Sequence, residues 1–313
     1  MRSKEGKKVQ KTDCLIIGAG IAGITAAIYL KRSNLSAVLL DKDAPGGKLN
    51  SIHRIDNYPG FTQVAGPDLA MHLYEQATSL GIEFTYGSVS EVKLEDGLFH
   101  VTTDVEEYLA TTLIVATGIE NKKLGVPGEA ELNGKGVSYC ATCDGNFFKG
   151  KDVVVYGYKD RAVEDAIYLS SLAKTVYMLA PHPLEATEAH RNELLEKKNV
   201  VLHERMSILS ILGEDHVIGV HTYHGGQESD LACDGVFQLY GEKSSSQFLS
   251  SLGLETSKGF IKVDASMATS VPGLYAAGDV IDKRLRQLVN AAGEAAVAAT
   301  SAISYIHAKK KAA

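Results

Sequence analysis

The stretch Tyr139-Cys140-Ala141-Thr142-Cys143-Asp144-Gly145 sets two thiols three positions apart, with a carboxylate beside them. Such a pair can close an exposed disulfide that exchanges readily with other thiols, the thiolate being the reactive form. A helix starting here would lower one cysteine's pKa, and Asp144 could hold or deliver the proton that exchange requires. Half of a structural zinc site is the alternative, but that needs a second Cys or Cys/His pair at ligand spacing, and the chain has none. The other two cysteines, Cys14 and Cys233, lie far apart on apolar, strand-like runs. The pair therefore reads as redox-active, with two inert thiols as the bland alternative.

The elements that must serve such a pair begin near the N-terminus. Asp13-Cys14-Leu15-Ile16-Ile17 reads as a short buried strand and leads into Gly18-Ala19-Gly20-Ile21-Ala22-Gly23, then an apolar helix through Leu30. A GxGxxG carries weight only in this context, between a strand and a helix. Gly18 permits the tight turn, Gly20 lets a pyrophosphate reach the backbone, and Gly23 lets helix and strand pack closely. The phosphates would then meet the free amides and dipole of the helix N-terminus. A second strand, Ala37 to Leu40, ends at Asp41, an acid placed to accept hydrogen bonds from a ribose.

The loop that follows points to FAD. Ala44-Pro45-Gly46-Gly47-Lys48-Leu49 and Asp56-Asn57-Tyr58-Pro59-Gly60-Phe61 supply turn-rich backbone that could wrap a flavin, which NAD domains rarely carry. A helix over Asp68 to Leu80 and a strand over Glu83 to Tyr86 follow, and a strand from Thr112 ends at Ala116-Thr117-Gly118. Near the C-terminus, Leu274 to Ala277 runs into Gly278-Asp279, and Arg286-Gln287 precedes an alanine-rich helix from Leu288 to His307. Asp279 could bind a ribityl hydroxyl and Arg286-Gln287 could reach the flavin ring; an N-cap or turn acid is the plainer account of Asp279.

At 313 residues the chain is long enough for about two domains. Its 45% hydrophobic and 22% charged content is that of a water-soluble globular protein, and a net charge of -6 argues against general nucleic-acid binding. No apolar run reaches membrane-spanning length, and no apolar segment follows the polar first twelve residues, so neither membrane nor secretory signal is expected. The sparse cysteines suit a reducing cytoplasm. The basic N-terminus and Lys309-Lys310-Lys311 read as solvated ends, and Lys283-Arg284-Arg286 as solvated surface rather than a docking patch.

The chain resembles the low-molecular-weight thioredoxin reductases over nearly its full length. The resemblance rests on GAGIAG at 18–23, APGGKLN at 44–50, NYPGF at 57–61, VATG at 115–118, CATCDG at 140–145, AVEDAIYL at 162–169, YAAGDV at 275–280 and the Arg286-Gln287 pair. It implies an α/β fold of two Rossmann-like, three-layer ββα domains, the second inserted into the first. An FAD domain would comprise 1–122 and 250–313, and a central domain, 123–249, would carry the disulfide. It further implies that Cys143 faces the flavin, Cys140 attacks the partner disulfide, Asp144 serves as acid/base, and the protein is a homodimer. Gly118–Lys123 and Glu242–Ser250 would be hinges. Lys48 departs from the family's usual glutamine beside the flavin.

In that family the central domain repeats the dinucleotide motif and holds NADPH, and here the repeat is altered. Asp152 to Tyr156 and a helix over Ala162 to Leu172 are joined by Gly157-Tyr158-Lys159-Asp160-Arg161. Lys159 stands where a second glycine would let backbone touch pyrophosphate, and Asp160 would repel the anion. The strand Thr175 to Leu179 runs into Ala180-Pro181-His182 rather than the arginine cluster that grips a 2′-phosphate, and Phe237 to Lys243 replaces a glycine-containing strand end. NADPH binding is therefore expected to be lost.

The expected function is an FAD-dependent disulfide reductase acting on thioredoxin or a similar protein, with a donor such as ferredoxin. Electrons falling from about -400 mV to about -270 mV release roughly 6 kcal/mol for two, and a flavin can accept them singly. The alternatives are an NAD(P)H-dependent thioredoxin reductase with a variant site, a dithiol oxidase, and a flavin redox sensor without turnover.

Overall fold

The computed structural model describes residues 8–52, 55–257 and 259–312; the basic residues 1–7 lie outside that set. The chain forms two compact units, Met1–Glu120 with Lys243–Ala313, and Asn121–Glu242. The second crossing falls near 242/243 rather than 249/250. Leu249, 2% exposed, sits in the core of the first unit, which fixes the chain there before residue 250.

The first unit is built on a seven-stranded sheet. Its strands are β1 (Val9–Ile17), β2 (Ala37–Asp41), β3 (Glu83–Tyr86), β4 (Val89–Glu95), β5 (Leu98–Thr103) and β6 (Glu107–Val115), in the order β3-β2-β1-β6-β5-β4. β6 serves two neighbours on one edge: β5 pairs antiparallel with its first half, Phe99 opposite Ala110, and β19 (Leu274–Ala276) pairs parallel with its second, Leu274 opposite Leu113. Alternation along the strands divides the core, since successive side chains point to opposite faces. Cys14, Ile16, Leu39 and Ile114 face helices α1 (Ile21–Arg32), α2 (Gly66–Ser79) and α6 (Leu288–Ala312). Leu15, Ile17, Val38, Leu40, Leu113 and Val115 face the layer that includes Val92, Phe99 and Leu249. α1 packs on α6 through small residues, with Ala26, Ala27, Ala295, Ala298 and Ala299 all fully buried.

The second unit repeats the plan. β9 (Asp152–Tyr156), β10 (Thr175–Ala180) and β11 (Val200–Glu204) join β15 (Gly235–Gln238) and β8 (Val137–Ser138) in a parallel sheet ordered β11-β10-β9-β15-β8. Val153, Val155, Val176 and Met178 face helices α4 (Asp160–Ser170) and α5 (Glu188–Glu196). Val154, Tyr156 and Leu179 face the antiparallel sheet of β12 (Ser207–Gly213), β13 (Val217–His224) and β14 (Gln227–Ala232). The chain crosses between units in β7 (Ile119–Asn121) and β16 (Glu242–Ser244), which pair with each other. The α/β, two-unit Rossmann-like architecture is as expected.

The C-terminal lysines are exposed, as expected, but helical. α6 continues through them to Ala312, and the Lys310 ammonium lies 2.7 Å from the carboxylate of Asp13, midway along β1. Among the described residues, no helix is long and apolar enough to cross a membrane.

Overfilling the alanine seam of α6 should unseat it from α1. Ala299→Leu is expected to destabilise the protein by about 1–3 kcal/mol, read as a lower urea midpoint at unchanged slope. An unchanged midpoint would mean that the seam is not tightly packed.

Candidate active site

In the first unit the β1–α1 turn is bare backbone. Gly18 has φ +106°, and a Cβ on it would strike the backbone of Ala116; a Cβ on Gly23 would strike the Gly18 carbonyl. A Cβ on Gly20 would meet nothing within 4 Å, so the turn is open on that side where the α1 amides begin. The Asp41 carboxylate accepts from the Ala19 amide at 2.5 Å and the Asp43 amide at 3.0 Å, which fixes it at the end of β2 beside the turn. Gly47 lies against Gly20, and the Gly46 amide donates to the Ala19 carbonyl at 2.8 Å. Lys48 stands on the same short 3-10 turn, Gly47–Ser51. Leu49 is 1% exposed in the helix-side core, so its side chain serves packing and only its backbone could meet a ligand.

Residues distant in the chain meet around this cradle. Asn57 donates to Gln287 at 3.0 Å across 230 positions. The Arg286 guanidinium stacks 4.4 Å from the Phe260 ring centroid and donates to the Lys283 carbonyl. Thr117 donates to the Ser245 carbonyl at 2.7 Å, and the Gly118 carbonyl accepts from the Ser245 amide. At Gly278-Asp279 the surface reading of the basic run fails for Lys283. Its side chain is 8% exposed, with its ammonium 2.7 Å from Glu294 and 3.4 Å from Asp279. Glu294 also accepts from the Gly278 amide at 3.0 Å and from Asn290 at 2.9 Å. Nothing in the local sequence singles out Glu294.

In the second unit Cys140 and Cys143 are joined in a disulfide, and the short helix α3 (Ala141–Asp144) begins at Cys140. The Cys143 amide donates to the Cys140 sulfur at 3.2 Å. Ser138, which sequence reasoning missed, donates to Asp144 Oδ2 at 2.6 Å and accepts from the Cys140 amide at 3.1 Å. Glu129, also missed, is 3% exposed and takes bonds from the Leu124 and Gly125 amides and the Tyr139 hydroxyl. Burial, then the Glu129 charge, raises the Tyr139 pKa and keeps the phenol protonated as donor. Burial pushes the thiols of Cys14 and Cys233 up to about 12, which makes both inert.

The matching turn of the second unit carries side chains where the first has glycines. Lys159 caps α4 with extended backbone, and its ammonium lies 5.5 Å from the Tyr158 ring centroid. Tyr158 packs on His182 and Tyr240, and Tyr240 stacks on Tyr156. The Glu185 amide donates to the Tyr158 carbonyl at 2.7 Å, so the segment after β10 is strapped onto the turn. Asp160 accepts from the Thr187 amide at 2.9 Å and pairs with His190 at 2.8 Å, whose other nitrogen lies 3.4 Å from Glu164. The Asp160 hydrogen bond, helped by the Glu164 and Glu193 charges, raises the His190 pKa. Burial acts to raise the Asp160 carboxyl, but the Thr187 amide and His190 outweigh it and hold it below the usual value.

Two nucleotide-type units with a CxxC disulfide match known proteins. The model of the family described as pyridine nucleotide-disulphide oxidoreductase matches residues 12–295. The chain belongs to that family. Within it, the chain is 39% identical to thioredoxin reductase of Bacillus subtilis, the match covering 94% of both chains. The crystal structure of thioredoxin reductase from Streptococcus pyogenes is 39% identical with TM-score 0.90, covering 95% of this chain and 99% of that one. A ferredoxin-flavin thioredoxin reductase from Clostridium acetobutylicum is 34% identical with TM-score 0.55, covering 96% and 99%.

This is therefore an oxidoreductase of the thioredoxin reductase family, a flavin disulfide reductase with FAD as cofactor. The first unit fits FAD: its turn is open at Gly20 and closed by side-chain-free contacts at Gly18 and Gly23, as a pyrophosphate cradle requires. Gly18, Gly20, Gly23 and Asp41 would hold the adenosine end.

Gly23→Ala should yield protein without the flavin's long-wavelength absorbance; a yellow variant would show that the turn can shift. The His190 latch should depend on pH. A raised imidazole pKa means that its contribution is full below the unfolded value near 6.5 and is lost as pH rises through the folded value. Exchange protection of the Thr187 amide, corrected for intrinsic rate, should fall over that rise and lose its pH dependence in His190→Gln. Protection that stays level in the unmodified protein would remove the latch.

Proposed function

We propose that this protein reduces the disulfide of thioredoxin or a similar protein through FAD and the Cys140–Cys143 pair, taking electrons from a donor other than NADPH, such as ferredoxin. Cys140 attacks the partner disulfide, Cys143 then closes on Cys140 to release the reduced partner, and Asp144 supplies the proton to the leaving thiolate. FAD, when bound, would supply the two electrons the pair needs and could take them up singly from a one-electron donor. The protein's part is to hold the pair and its acid together on α3 and to keep the flavin cradle free of side chains.

The observation that carries the choice of donor is the β9–α4 turn. It carries the Lys159 side chain where a nucleotide-binding turn needs bare backbone, and the Tyr158 ring packs on His182 and Tyr240 beside it. The Glu185 amide holds the segment after β10 against the turn, and Asp160 places a negative charge at the start of α4, where a phosphate would be repelled. The Clostridium acetobutylicum relative, whose description names ferredoxin, supports the same reading. The family's name favours a second reading, a pyridine nucleotide donor bound in an altered way.

A homodimer fits an apolar line along α6, where Val289 and Val297 are 47% and 41% exposed.

Anaerobic titration of the flavin band separates the readings. NADPH and NADH should leave it unchanged, while reduced ferredoxin or dithionite bleaches it fully; prompt bleaching by substoichiometric nucleotide would establish the pyridine nucleotide donor instead. Cys140→Ser should retain flavin reduction yet lose nearly all turnover with oxidised thioredoxin.

A further inference from the structure

Ser138 is 5% exposed at the end of β8, and its hydroxyl touches both halves of the redox site. It lies 2.6 Å from Asp144 Oδ2, 3.1 Å from the Cys140 amide nitrogen and 3.4 Å from the Cys140 carbonyl oxygen. A serine hydroxyl has one proton to donate and two lone pairs with which to accept. The amide takes a lone pair, so the proton must choose between carboxylate and carbonyl. The shorter, charge-assisted bond to an ionised Asp144 wins. Once Asp144 is protonated it accepts more weakly, and the Cys140 carbonyl competes for the Ser138 proton. The Ser138 hydroxyl thus has two settings, and the charge on Asp144 selects between them.

We infer that Ser138 is a positioning residue for disulfide exchange, holding Asp144 beside the cysteine pair and favouring its ionised form. This rests on Asp144 acting as the acid. When an external thiolate attacks the Cys140–Cys143 disulfide, a mixed disulfide forms, the S–S bond breaks and one cysteine leaves as thiolate. A proton from Asp144 converts that thiolate to thiol, and Asp144 becomes a carboxylate. Ser138 then turns its proton onto the new charge while keeping its bond from the Cys140 amide. Donation to the charged form stabilises it, so Ser138 sets the pH at which Asp144 stops being able to give a proton.

The test is reduction of the oxidised holoprotein by dithiothreitol, quenched by alkylation and followed against pH, with rates divided by the dithiothreitol thiolate concentration. The unmodified protein should show a fall in this rate as Asp144 ionises. Ser138→Ala should move that fall up by roughly one pH unit, the loss of one hydrogen bond to a charge. Ser138→Thr, which keeps a hydroxyl, should move it back, and in an Asp144→Asn background Ser138→Ala should change nothing further. Far-UV circular dichroism and the flavin band report folding, and Ser138→Gly serves as a second hydroxyl deletion. If Asp144→Asn removes the fall while the Ser138 deletions leave it in place, the role of Ser138 is overturned and that of Asp144 stands. If the fall persists in Asp144→Asn, the Asp144 reading and this inference fail together.

Discussion

A backbone amide can meet a pyrophosphate only where no side chain stands between them, and both units of this protein are arranged around that constraint. Each places a tight turn between an interior parallel strand and the helix that follows it, β1–α1 in the first and β9–α4 in the second. In the first unit the turn is stripped bare: Gly20 faces open space, and Gly18 and Gly23 sit where a Cβ would strike backbone. In the second the same frame carries Tyr158, Lys159 and Asp160, and the Tyr158 ring packs on His182 and Tyr240. Gly157 is required there because a Cβ would meet Ala162 and the Leu239 carbonyl. The two turns share the packing requirement and differ in the side chains they carry.

The redox pair is held by ordinary means close to that altered turn in sequence. Its strand, β8, is only two residues long and pairs with β15 through Val137 and Ser138. What keeps so short an edge in place is side-chain bonding around it. Glu129 gathers two loop amides and the Tyr139 hydroxyl, so a carboxylate 3% exposed is satisfied by three donors. Unsatisfied, the same group would cost several kcal/mol. Ser138 does for Asp144 what Glu129 does for the loop, and between them the exchanging cysteines have a fixed floor.

Local patterns made most of the fold and the redox pair legible in the sequence. Strand, glycine turn, helix and terminal acid lie within a few dozen residues, so Gly18, Gly20, Gly23 and Asp41 could be read together, as could Cys140, Cys143 and Asp144. What escaped depends on contacts that have no local signature. Asn57 meets Gln287 only because the chain leaves the first unit and returns to it. Glu294 and Lys283 look like surface charges until α6 is laid against the Gly278 turn. Leu49, chosen for its place in a flavin-binding loop, is a core side chain because the 3-10 turn points it inward. Ser138 is a buried hydroxyl in an apolar strand, and only the return of α3 gives it partners.

The β9–α4 turn also carries its own charge balance. A helix N-terminus presents free amides and a partial positive charge. Asp160, in the first turn of α4, supplies the negative charge internally. It is drawn there by the Thr187 amide, which opens α5, so one carboxylate serves the starts of two helices. His190 lies between Asp160 and Glu164, and their negative charge favours its protonated form. The start of α4 is therefore balanced by groups of the chain itself, and Lys159→Gly would leave Asp160, His190 and the Tyr158 ring contacts in place.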